Sequence, residues 1–131
     1  MTRSDAHVKE MMSAPVVHVA PHATVAQALR SMIDHDIGAI VVVEGETAVG
    51  VFTERDLTRR ILDDEGLLSR EVREVMSTPV TTVGSDDHAA LVAKVMSERK
   101  VRRVPVVEDD RLVGIVTERD LLHWVDAAAP E

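Results

Sequence analysis

The sequence predicts a mixed α+β fold: two tandem β-α-β-β-α repeats packed as a pseudo-two-fold symmetric pair. Three observations carry that expectation. Residues 12–57 align without a gap on residues 76–121, at a constant offset of 64. Each copy alternates between a helical apolar period and solid aliphatic runs. A copy of about 45–60 residues would also bury too little core alone, so the 131-residue chain reads as one module of two repeats.

Each copy opens on a short apolar stretch behind a proline, residues 16–19 or 80–83. An amphipathic run follows at residues 24–36, where Val25, Ala28, Leu29 and Met32 share a helical face. Its counterpart, residues 86–100, carries Ala89, Val92, Val95 and Met96. Residues 39–43 and 104–107 are unbroken aliphatic runs, the pattern of a strand buried on both faces. Gly45-Glu46 and Asp109-Asp110 supply turn chemistry before second strands at residues 48–52 and 112–116. The last helix of each copy opens at Thr53 or Thr117. Residues 63–70 form a polar connection, with Gly66 as a helix stop.

Composition excludes several function classes. The 15 basic and 23 acidic side chains leave a net charge of −8, opposite to what neutralises a nucleic-acid backbone. Only Phe52 and Trp124 are aromatic, a poor stacking platform for single strands. The longest apolar run, residues 37–43, is far short of the roughly 20 residues that cross a bilayer. The segment MTRSDAHVKEMM lacks the apolar stretch of a secretory signal. Without cysteine there is no disulfide, no thiolate nucleophile and no Cys-based zinc site, and the cytoplasm is the default compartment.

The identical Thr-Glu-Arg-Asp-Leu blocks at residues 53–57 and 117–121 are the strongest local signal. Thr53 with Asp56, and Thr117 with Asp120, have capping-box spacing, which serves a helix start on its own. The same helix end, with its free N–H groups and positive dipole, also suits an anion. Spacing alone leaves both roles open, and they are compatible at the threonine.

The segments Gly50-Val51-Phe52-Thr53-Glu54-Arg55-Asp56 and Gly114-Ile115-Val116-Thr117-Glu118-Arg119-Asp120, with the Met-Ser-x-Pro-Val openings at residues 12–16 and 76–80 and with Arg103-Val104-Pro105-Val106-Val107, resemble the CBS domain. The pair resembles a Bateman module, one repeat at residues 8–66 and the other at 67–131. This resemblance implies a regulatory module rather than an enzyme. It further implies an adenosine-containing nucleotide in clefts between the repeats (AMP foremost, with ADP, ATP or NAD as alternatives), a homodimer, and an effector protein of unknown identity. No cofactor is required. In this reading Asp56 and Asp120 accept hydrogen bonds from ribose hydroxyls, and Thr53 and Thr117 contact ribose or phosphate, flanked by Arg55 and Arg119. The segments Val101-Arg102-Arg103-Val104-Pro105 and Ile37-Gly38-Ala39 supply apolar and backbone contacts to adenine, and the two arginines reach phosphate.

The resemblance also implies how the motifs share clefts. Thr53, Asp56, Thr78, Thr81, Arg102 and Arg103 form one, and the arginines make it the tighter. Thr117, Asp120, Ala14, Val17, Gly38 and Ala39 form the other. The rival reading is an interaction or oligomerisation module whose clefts are vestigial and whose Thr–Asp pairs only cap helices.

Other signals weigh little. His18 and His22 straddle Ala20-Pro21, so the helical spacing of a zinc pair is absent. Glu54 with Asp56, and Glu118 with Asp120, have no accompanying nucleophile, and residues two apart point to different helix faces. Met11, Met12, Met32, Met76 and Met96 read as core fillers. Trp124 suits either the core or an interface.

Overall fold

A computed structural model describes residues 6–128. The chain divides into two compact units. The first is Val17–Val80; the second joins Met1–Val16 to Thr81–Glu131. Each holds one three-stranded sheet and two of the four α-helices. The mixed α+β class and the tandem β-α-β-β-α order are those the sequence predicts.

In the first unit, β1 (His18–Val19) pairs in parallel with β2 (Ala39–Glu44), and β2 pairs antiparallel with β3 (Thr47–Thr53). Helix α1 (Val25–Asp34) starts where Thr24 and Gln27 cap each other: the Gln27 N–H donates to Thr24 Oγ1 at 3.1 Å, and the Thr24 N–H to Gln27 Oε1 at 2.9 Å. Its buried face is Val25, Ala28 and Met32. The aliphatic run of β2 is buried from Ala39 through Val43, as a two-sided central strand requires. Helix α2 (Glu54–Arg60) follows β3 directly.

The connection after α2 differs from the polar linker expected. Gly66 does not stop the helix: α2 has already ended, and Gly66 (φ −93°) instead precedes a one-turn 3₁₀ helix, Leu67–Ser69. The Asp64 carboxylate accepts the Gly66 N–H at 3.1 Å and closes that turn. Leu67 then enters the core beside Val72 and Val75, with Ile40, Val42 and Phe52. Residues 67–80 thus complete the first unit, although in sequence they open the second repeat.

The second unit repeats the plan with β4 (Val83–Gly84), α3 (Ala89–Arg99), β5 (Arg103–Glu108), β6 (Arg111–Thr117) and α4 (Glu118–Ala128). Its core gathers Val83, Ala89, Val92, Met96, Val104, Val106 and Val116, and Trp124 packs half-buried against it. Asp109 and Asp110 take positive φ (50° and 64°) in the hairpin turn, the twist that matches paired strands. Ala6, Val8 and Met11, from the amino-terminal segment, are part of this core.

Each opening Met-Ser segment therefore lies on the later repeat's or the earlier repeat's last strand, and always in the same way. Ser77 pairs with Val51 of β3, and Ser13 pairs with Ile115 of β6. The preceding methionine lies over a glycine. A Cβ on Gly50 would meet Met76 Cγ at 2.8 Å, and one on Gly114 would meet Met12 Cγ at 2.9 Å. The glycine of each Gly-h-h-Thr segment is thereby explained by packing.

Candidate functional site

The sheet ends deliver both Thr–Asp pairs to helix starts. In the first unit the register sets Thr53 opposite Ala39, and the Glu54 N–H donates to the Gly38 carbonyl at 3.0 Å. Asp56 Oδ2 accepts the Thr53 N–H at 2.9 Å and the Thr53 hydroxyl at 3.0 Å. The Asp56 N–H donates to Thr53 Oγ1 at 3.1 Å. The other oxygen, Oδ1, accepts the Ser77 hydroxyl at 2.9 Å. Asp56 is buried, at 9% exposure, and both of its oxygens are engaged.

The second unit reproduces the box. Asp120 Oδ2 accepts the Thr117 N–H at 2.9 Å and the Thr117 hydroxyl at 3.1 Å, while the Asp120 N–H donates to Thr117 Oγ1 at 3.2 Å. Ser13 is the counterpart of Ser77. Its backbone bonds Ile115 at 2.9 and 3.0 Å, but its hydroxyl does not reach Asp120. Among the described residues Asp120 Oδ1 has no hydrogen-bond partner, and Asp120 is only half-buried.

The remaining candidates divide by unit. Beside Thr53 and Asp56 lie Gly38, Ala39 and, through Ser77, the exposed Thr78. Ile37 is half-buried against the core of that unit, as is Val17. Beside Thr117 and Asp120 lie Arg102, whose carbonyl accepts the Glu118 N–H at 3.0 Å, and Arg103, directly opposite Thr117. The resemblance grouped these arginines with Asp56; within the second unit, the β5–β6 register sets them next to Thr117 and Glu118. Arg102 forms an exposed ion pair with Glu118 at 3.7 Å, whereas Arg103 is half-buried without an ion pair among the described residues. Pro105 is buried within β5, Val101 is half-buried against the core, and Ala14 follows Ser13 on the strand end. Thr81 is half-buried in the second unit. Arg55 and Arg119 are exposed and unpaired among the described residues.

Sequence reasoning missed Ser77. The signal was present, since Ser13 and Ser77 align at the repeat offset, but nothing in spacing links a serine to an aspartate 21 residues away.

Chemically, each box offers a carboxylate, a hydroxyl and backbone N–H groups at a helix start. Asp120 Oδ1 can accept from a hydroxyl donor. Among the described residues no three His, Asp or Glu side chains converge on a metal-sized site, and no helix is long and apolar enough to cross a membrane.

Two β-α-β-β-α units, each ending in a glycine-spaced Thr–Asp box and strapped by a Met-Ser-x-Pro segment, define a tandem-repeat α+β module. The CBS domain model matches residues 8–63 and 72–127, and the chain belongs to the CBS domain family. It is 36% identical over 120 residues to the uncharacterized protein MK0525 of Methanopyrus kandleri, covering 88% of this chain but 61% of that protein. It is 34% identical over 114 residues to the CBS domain-containing protein YhcV of Bacillus subtilis, covering 87% of this chain and 81% of YhcV. Among solved structures it resembles the CBS domain pair of protein MJ0100 in complex with 5'-methylthioadenosine and S-adenosyl-L-methionine. That match has a TM-score of 0.85 and 27% identity, and covers 95% of this chain and 98% of the other.

Proposed function

We propose that this chain is a non-catalytic regulatory module that reversibly binds an adenosine-containing ligand through its two Thr–Asp boxes. The observation that carries the reading is the open oxygen of Asp120 in an otherwise satisfied capping box. A cap alone uses one carboxylate oxygen; the second is an acceptor suited to a ribose hydroxyl. The adjacent Arg102 and Arg103 suit a phosphate, because guanidinium–phosphate hydrogen bonds are charge-assisted. AMP therefore leads, with ADP, ATP and NAD behind it. The complex of MJ0100 with two adenosine-bearing ligands supports the ligand class.

The ligand contributors are Ile37, Gly38, Ala39, Thr53, Asp56 and Thr78 in the first unit. In the second they are Val101, Arg102, Arg103, Pro105, Thr117 and Asp120. Output to a partner, or to a homodimer of the chain, follows if the ligand favours one conformation over another. A thermal-shift panel of AMP, ADP, ATP, NAD, S-adenosylmethionine and 5'-methylthioadenosine tests this. A ligand at 100 times its Kd stabilises by about 2.7 kcal/mol, a rise of several degrees. Silence from all six at millimolar concentration overturns the reading in favour of an interaction module with vestigial sites.

A further inference from the structure

The imidazoles of His7 and His88 lie against each other in the second unit, their centroids 5.6 Å apart and their planes tilted by 41°. The two residues form an isolated antiparallel bridge, and three backbone bonds hold the segments around it. The Ala89 N–H donates to the Ala6 carbonyl at 2.8 Å, the Val8 N–H to Asp87 at 2.9 Å, and the Lys9 N–H to Ser85 at 3.0 Å. The His7 backbone N–H donates to Glu10 Oε2 at 2.6 Å. The rings are accessible: His7 is half-buried and His88 exposed.

Neutral imidazole is a common ligand for zinc, copper and nickel. Two imidazoles sharing one tetrahedral ion, at bond lengths of roughly 2.0–2.1 Å, have centroids about 5.2 Å apart. The observed separation of 5.6 Å is close to that. The surroundings favour a cation. Among the described residues Glu10, Asp86 and Asp87 adjoin the pair, and the one ammonium beside them, Lys9, pairs with Asp86 at 3.0 Å.

We propose that His7 and His88 form a two-imidazole clamp for a divalent transition-metal ion, which fastens the amino-terminal segment to the start of α3. Among the described residues no third His, Asp or Glu completes a protein cage, and water fills coordination positions that the two imidazoles leave. The clamp does not draw on the Thr–Asp boxes, and its test is independent of the nucleotide reading.

The test is titration of the full chain, free of any tag, with Zn²⁺ against a chromophoric chelator. His7→Phe and His88→Phe keep an aromatic ring at each site but remove its nitrogens. Each is expected to weaken Zn²⁺ binding at least tenfold, while the His18→Ala/His22→Ala double variant binds as the parent does. Hydrogen exchange gives a second readout: Zn²⁺ should slow exchange of the Val8 and Lys9 amides in the parent and in neither Phe variant. Undiminished Zn²⁺ binding in the Phe variants, loss of binding in the His18/His22 variant, or no Zn²⁺ binding by the parent overturns the clamp.

Discussion

The two Thr–Asp boxes have the same residues, spacing and register, yet their aspartates are not equivalent. Asp56 is buried and gives its second oxygen to Ser77; Asp120 is half-buried, and its second oxygen is open among the described residues. The difference arises outside the motif, in whether the strapping serine closes onto the carboxylate. One copy therefore engages both carboxylate oxygens within its own unit. The other retains an unspent acceptor beside two arginines. A shared sequence signature can leave its copies with different open acceptors.

Substitutions can break this comparison. The largest effect is expected at Asp56: Asp56→Ala removes the acceptor for three hydrogen bonds at a buried position and should cost about 2–3 kcal/mol. Asp120→Ala should cost about 1 kcal/mol, the value of a lost cap. Urea denaturation of both variants measures the gap, and equal losses would mean that the Ser77 contact contributes nothing.

Next come the glycines. Gly50→Ala and Gly114→Ala each force a methionine side chain aside, at about 1–3 kcal/mol for overpacking. Met76→Ala should relieve the first and Met12→Ala the second, because the methionine and glycine are in contact and so couple in a double-mutant cycle. Additive losses would contradict the packing explanation.

Arg103→Ala sharpens the ligand side of the comparison. It should weaken AMP by about tenfold, the scale of one charge-assisted hydrogen bond, and leave 5'-methylthioadenosine, which has no phosphate, almost unchanged. Equal weakening of both by calorimetry would place Arg103 away from phosphate.

The smallest effects belong to the exposed ion pairs that pin each strap. Hydrogen bonding to Lys9 holds Asp86 below the ordinary carboxylate range, and hydrogen bonding to Arg70 does the same for Asp64. A carboxylate lowered in the folded state contributes fully above its unfolded value, about 3.9, and loses that contribution as pH falls through the folded value. Both units should therefore lose slight stability below about pH 4, and less of it in high salt. A pH series of denaturation midpoints at two salt concentrations checks the sign.

Much of this was legible in the sequence. The offset repeat gave the element order, because each helix face and each buried strand carries its own periodicity. The Thr–Asp spacing gave both boxes. Three features were hidden. Leu67, amid polar neighbours in residues 63–70, is a core residue because the 3₁₀ turn after Gly66 folds it inward. Residues 6–16 and 67–80 pack with units that a cut along the repeats at residues 66 and 67 does not assign to them, since chain order carries no record of which strand end a strap covers. The Ser77–Asp56 bond, and its absence at Ser13 and Asp120, depends on side-chain reach that identical residues do not reveal.

The most direct test of the account is calorimetric titration of AMP into the parent chain and into the Asp56→Asn and Asp120→Asn variants, which preserve size while weakening the acceptor. Binding by the parent, with a clearly larger loss of affinity for Asp120→Asn, is the predicted result. Equal affinity in all three, or a larger loss for Asp56→Asn, would contradict the assignment of the open carboxylate of Asp120 to the ligand.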